Sequence, residues 1–161
     1  DPAPSIVIND VSLVEASANM TFTATLSAAS GKTVTVDYAT ADVTATSPAD
    51  YTVSAGTLSF APGVLTRTFT VPIVGDTLNE FNETFVANLT NATNASIADN
   101  QGIGTILDND PIPTLAFANV TVVEGDAGTV PATFTVTLSA ASGKTVTVDY
   151  ATADVTVPAT A

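Results

Sequence analysis

The chain has 161 residues, 45% hydrophobic but only 12% charged, and its 16 acidic side chains against three basic ones leave a net charge of −13. Such a balance repels nucleic acid phosphates and anionic lipid, so neither is expected as a partner, while the apolar fraction is too high for a disordered acidic tail. With Cys, His and Trp all absent, there is no disulfide framework and no Ser-His-Asp or Cys nucleophile, and no apolar run approaches the ~18 residues that insert into a membrane as a helix.

Taken in chain order, short alternating runs bounded by Gly, Pro, Asn and Asp predict seven strands. They fall at about 5–14, 20–27, 33–39, 56–60, 65–74, 83–90 and 102–107. In the second, Phe22, Ala24 and Leu26 share one face and Thr21, Thr23 and Thr25 the other. In the third, Val34, Val36 and Tyr38 oppose Thr33, Thr35 and Asp37. In the fifth, Phe69, Val71 and Ile73 oppose Thr66, Thr68 and Thr70. One face to a core and one to water is antiparallel behaviour. The expected fold is all-β, a seven-stranded antiparallel β-sandwich with Greek-key links.

Beyond residue 110 the pattern restarts. Residues 28–44, AASGKTVTVDYATADVT, recur unchanged as 140–156, and Asp1-Pro2-Ala3-Pro4 parallels Asp110-Pro111-Ile112-Pro113. The chain therefore reads as a tandem array. Residues 1–110 form a complete module, and residues 111–161 are the N-terminal half of a second.

In an alternating sandwich, the loops after the first, third and fifth strands share one pole with the end of the seventh. That pole collects Glu15, Asp50, Asp76, Glu80, Glu83, Asp108 and Asp110, while the opposite pole holds Asp99 beside Lys32. Two carboxylates about 5 Å apart repel by roughly 3 kcal/mol at an effective dielectric near 20. Either water dilutes this repulsion at a solvated rim or a cation neutralises it, and the sorting to one pole favours a cation. Oxygen-only ligands select Ca²⁺, with Mg²⁺ as the second choice. The exit from the module lies at the same pole, which faces the next repeat.

Several segments together carry a resemblance to a known family. They are Val14-Glu15, the run Thr33 to Asp42, Asp50-Tyr51, Gly56 to Phe60, Ala61-Pro62-Gly63, Val71 to Asp76, Glu80-x-x-Glu83-Thr84-Phe85 and Ile106 to Asp110. As a set they resemble the Calx-beta family, across the whole first module and the front half of the second. The resemblance implies an immunoglobulin-like sandwich with Ca²⁺ held by its distal loops. It places ligands on Glu15, Asp50, Asp76, Glu80, Glu83, Asp108 and Asp110, and adds the backbone carbonyl of Leu78. The near-identical repeats and Thr/Ala-rich composition are similar to the bacterial surface type of the family.

Two departures qualify the resemblance. Glu124-Gly125-Asp126-Ala127-Gly128 has the usual loop after the first Glu, whereas Glu15-Ala16-Ser17-Ala18-Asn19 is shorter and changes how Glu15 is presented. Gly75 stands where exchanger-type modules carry Asp. Fewer carboxylates imply fewer ions or weaker binding, roughly in the 10⁻⁴–10⁻³ M range of extracellular modules.

Catalysis is not expected, since Gly102-Ile103-Gly104 enters a strand and precedes no helix, as a phosphate loop would. The sequons at Asn19, Asn82, Asn88, Asn91, Asn94 and Asn119 follow from the abundance of Asn and Thr and are not taken as glycan sites. The expected role is a calcium-binding repeat of a long extracellular or cell-surface stalk, adhesin or fibre, whose partners are neighbouring modules or like subunits. The alternatives are a self-assembling filament subunit, completed by strands of neighbouring chains with Ca²⁺ incidental, and a Ca²⁺ sensor within a larger machine.

Overall fold

Apolar residues alternating with Thr suit a pleated, half-buried surface, and they run through residues 21–26, 33–36 and 68–71 of the first unit. The computed structural model of the chain describes residues 2–15 and 18–155 and is all-β. The strands are β1 (Ser5–Ile8), β2 (Val11–Val14), β3 (Asn19–Leu26), β4 (Val34–Asp42), β5 (Ala55–Phe60), β6 (Thr66–Pro72), β7 (Glu83–Thr93), β8 (Ser96–Ile97), β9 (Gln101–Leu107), β10 (Leu115–Phe117) and β11 (Val136–Leu138).

Two sheets make the first unit, one in the order β6-β3-β1-β8 and the other β2-β9-β7-β4-β5. Between them lies one core. Phe22 stacks on Phe69 at 5.4 Å between centroids and meets Phe85 edge-on at 5.9 Å, while Tyr51 stacks on Phe85 at 4.3 Å. The residues on the predicted inward faces of the second and fifth strands are all buried, as are Val34 and Val36, while Tyr38 is half-buried. Gly104 is needed for this packing, because a Cβ there would lie 2.5 Å from the Phe85 ring.

The single strand expected over 5–14 is two. β1 pairs antiparallel with β3, and β2 pairs parallel with β9 in the other sheet. The side chains of the intervening dipeptide hold the crossover. Asn9 Oδ1 accepts from Thr23 N at 2.6 Å, and Asp10 Oδ1 accepts from Ile103 N at 2.8 Å, one bond to each sheet. The strand expected to end at 39 runs to Asp42, paired with β7 along that extension. The strand expected to end at 90 runs to Thr93, with Asn91 at positive φ (53°) where its register with β4 shifts, and Asn94 (φ 57°) then turns the chain into β8. Asn is one of the few side chains that tolerates that region.

In the second unit β10 pairs with β11, joining Leu115 to Leu138, Ala116 to Thr137 and Phe117 to Val136. In the first unit Ile6 joins Leu26, Val7 joins Thr25 and Ile8 joins Ala24. The register is the same although the loop between the strands is longer in the second copy. The flanking bonds repeat as well: Ser5 N donates to Ser27 Oγ, and Thr114 N to Ser139 Oγ, both at 2.9 Å. Residues 145–150 repeat the sequence of β4 but form no strand. β4 is held between β5 and β7, and residues 111–161 contain no counterpart of either. Ala16 and Ser17, in the shortened loop after Glu15, lie outside the described residues, as do 156–161.

Candidate metal centre

Glu15 follows β2, whose parallel pairing with β9 is continued by a bond from Glu15 N to Leu107 O at 3.1 Å. That bond aligns Glu15 with the end of β9 and the segment after it. As a result Glu15, Asp108 and Asp110 each offer a carboxylate oxygen, all within 4.8 Å of one another. Glu15 is only 8% exposed. Its Oε1 and the Oδ2 of Asp110 are buried without a hydrogen-bond partner, a costly state for ionised groups away from water. Burial first, and then the neighbouring Asp110 carboxyl with the charges of Asp108 and Asp76, push Glu15 up to about 7.

A second group adjoins it. Burial, then Asp50 and Glu80, push Glu83 at the start of β7 up to about 7. Glu80 is raised by burial and by the charges of Asp76, Asp50, Asp108 and Asp110. The seven acids sorted to one pole in the sequence thus act on one another through space. Some have local partners: Asp50 Oδ2 accepts from Thr46 N at 2.6 Å and Thr46 Oγ1 at 3.1 Å, and Asp76 Oδ1 accepts from Leu78 N at 2.6 Å. Leu78 is half-buried in the loop between β6 and β7.

Described acids elsewhere in the first unit have their carboxylates engaged. Asp37 accepts from Thr57 Oγ1 and Asn91 Nδ2, Asp42 from Tyr51 Oη and Ser47 N, and Asp99 from Gln101 N. The unpartnered buried oxygens are confined, among the described residues, to the pole. Oxygen donors alone, crowded, partly buried and lacking protons to share, fit a hard divalent cation of the Ca²⁺ or Mg²⁺ kind.

Two amides also bind the segment after β9. Asn79, 6% exposed, donates through Nδ2 to Asp108 Oδ2 at 2.9 Å and to Asp110 O at 3.0 Å. Asn82 Oδ1 accepts from Asp108 N at 3.0 Å. Sequence reasoning passed over both, because an amide carries no charge to sort. Their one signal is position, inside the run of acids from Asp76 to Glu83. Lys144 of the second unit also reaches this pole, with Nζ 3.1 Å from Asn79 Oδ1 and 3.9 Å from Asp108 Oδ2.

The chain is similar to several known proteins. Sodium/calcium exchanger 1 of Cavia porcellus is 36% identical over 100 residues, and that of Felis catus 35%. The matches cover 58% of this chain and 10% of each exchanger, so the chain spans about a tenth of these relatives' length. Among solved structures, the apo-form Calx CBD1 domain superposes with a TM-score of 0.61 at 24% identity, over 66% of this chain and 99% of that one. The calcium binding domain CBD12 of CALX1.1 gives 0.63 at 24% identity, over 71% and 50%. These two likenesses establish the sandwich fold. The family model described as the Calx-beta domain matches residues 4–112 and again 108–161, so the chain belongs to the Calx-beta family.

Proposed function

We propose that the chain is a calcium-binding structural repeat of a long extracellular stalk, adhesin or fibre, and not a catalyst. The observation that carries the calcium reading is the pair of buried, unpartnered oxygens, Glu15 Oε1 and Asp110 Oδ2, beside Asp108. Glu15, Asp108 and Asp110 would hold one cation, with Asp76 and Glu80 alongside. Asp50 and Glu83, with the Leu78 carbonyl, extend the donor set. A bound Ca²⁺ supplies positive charge that offsets the mutual repulsion of these carboxylates. The residues themselves do the structural work: Glu15 ties the end of β2, Asp108 and Asp110 tie the exit from β9, and Asp76 to Glu83 tie the loop between β6 and β7. The exit leads into Pro111-Ile112-Pro113, where proline keeps the connection extended, so a stiff pole means a stiff junction. The extracellular placement rests on the near-identical repeats and the Thr/Ala-rich composition. Melting of the full chain in about 10 mM Ca²⁺ and in chelator tests the reading, since a cation bound by the folded state alone raises stability by about 2.7 kcal/mol at a hundredfold excess over Kd, here a Kd of about 10⁻⁴ M.

One observation favours a second reading, a filament subunit completed by neighbouring chains. Leu115, Phe117, Phe134, Val136, Val148 and Tyr150 line an open groove of about 950 Å³. Strands added there from another molecule would cover it. Fibres of purified chain visible by electron microscopy in chelator would favour the filament over the stalk.

A further inference from the structure

Lys144 Nζ lies 3.1 Å from Asn79 Oδ1, and the carbonyl carbon that an amine would attack is one bond beyond that oxygen. The amide is fixed in orientation. Its Nδ2 donates to Asp108 Oδ2 at 2.9 Å and to Asp110 O at 3.0 Å, so Oδ1 is the atom that faces the lysine. Asn79 is 6% exposed, which limits the access of water to its side-chain carbonyl. The backbones are tied at the same place: Asn79 and Ser142 form a parallel bridge, and Gly143 N donates to Asn79 O at 3.2 Å. Amine and amide are thus held together although they stand 65 positions apart in the chain.

A third group touches both. Asp108 Oδ2, which accepts from the amide nitrogen, is also 3.9 Å from Lys144 Nζ. A carboxylate between a nucleophile and its leaving group can take a proton from the one and give it to the other. The Phe81 ring, 4.8 Å from Nζ, covers the amine on a further side. Positioning of this kind makes an otherwise slow bimolecular step intramolecular. Lys32 is the copy of Lys144 in the first unit, and its loop is shaped alike: Lys32 N donates to Ser30 Oγ at 3.0 Å, and Lys144 N to Ser142 Oγ at 3.1 Å. Among the described residues, however, it is Lys144 whose amine meets a side-chain amide and a carboxylate.

We propose that Lys144 and Asn79 become joined by an isopeptide bond, formed by the protein on itself with Asp108 as the proton carrier. The lone pair of the free Lys144 amine attacks Asn79 Cγ. The Nζ–Cγ bond forms, and the Cγ–Nδ2 bond breaks with its electron pair going to nitrogen. The proton that Nζ gives up passes through Asp108 to the departing nitrogen, which leaves as ammonia. No oxidant, metal or second substrate enters the balance. The product is a covalent strap from the loop between β6 and β7 to the second unit. It goes beyond the calcium reading, since its three reacting groups all belong to the chain and the bond persists in chelator.

The test is the intact mass of the full chain, denatured after incubation in chelator until the mass is constant. The parent should be lighter than its sequence by one ammonia, and digestion should release a branched peptide that joins the segments around Asn79 and Lys144. Lys32→Arg should show the same loss. Lys144→Arg keeps the charge but cannot supply a free amine, and it should carry the full sequence mass, as should Asn79→Ala. Asp108→Asn should form the bond at least tenfold more slowly. A parent of full sequence mass overturns the proposal, whatever the variants do. So does an ammonia loss that persists in Lys144→Arg, which would mark a cyclised asparagine, or a branched peptide that joins other residues. Parental rates in Asp108→Asn would remove Asp108 from the reaction.

Discussion

Without a cation, the buried carboxyl of Glu15 opposes folding at neutral pH, because ionising it places charge beside Asp110 and Asp108. The folded state raises Glu15 to about 7 from an ordinary 4.5, and Glu83 likewise to about 7. The folded chain therefore binds more protons than the unfolded chain between those values, and stability falls as pH rises through them. In chelator the melting temperature should drop from pH 5 to pH 8. Glu15→Gln should flatten that drop and melt higher than the parent at pH 8, while weakening Ca²⁺ binding at least tenfold. A Glu15→Gln chain less stable in chelator at pH 8 would show that the carboxylate is a structural partner. Charge sorting made these acids visible in the sequence, because it needs only the order of the strands. It could not see Asn79, whose importance arises where the fold presses an amide against Asp108 and Asp110.

Elements divide along the same line. The faces of β3, β4 and β6 were legible because a period of two assigns each side chain to core or water. The break of the first strand was not: the inward positions shift from even (Ile6, Ile8) to odd (Val11, Leu13) across Asn9-Asp10, but the outward Val7 and Val14 are apolar too and blur the alternation. The switch depends on tertiary bonds, Asn9 to β3 and Asp10 to β9. Asp10→Ala should therefore cost about 1 kcal/mol by leaving Ile103 N without its acceptor, measured by denaturant unfolding. Gly104→Val should cost more, ~1–3 kcal/mol or above, since it drives a branched side chain into Phe85. Equal midpoints for the two variants and the parent would contradict this account of β9.

At the scale of the whole molecule, the two units are unequal. The first closes a core between two sheets, while the second has one two-stranded sheet and leaves Phe117, Phe134, Val148 and Tyr150 exposed. A lone pair of strands does not offset its chain entropy at about 1–2 kcal/mol per residue. Amide exchange in dilute chain should show strong protection across β3, β4, β6, β7 and β9 and little across β10 and β11. Protection of β10 and β11 equal to that of β3 would show that the second unit is folded by its own strands or by a partner's. The likeness of register between β1–β3 and β10–β11 was implicit in the repeat, but the contact of Lys144 with Asn79 and Asp108 had no signal beyond its place as the copy of Lys32. That contact joins residues of different modules, which no period within one module records.

The acidic pole is proposed as a cation site and not as a solvated rim. Calorimetric titration of Ca²⁺ into the full chain, run beside Asp108→Asn and Asp37→Asn, tests it most directly. Asp108 belongs to the clustered set, whereas Asp37 is bonded to Thr57 and Asn91 away from it. The parent should bind saturably, Asp37→Asn should bind as the parent does, and Asp108→Asn should bind tenfold or more weakly. No saturable heat in the parent, or the same isotherm for all three chains, would contradict it.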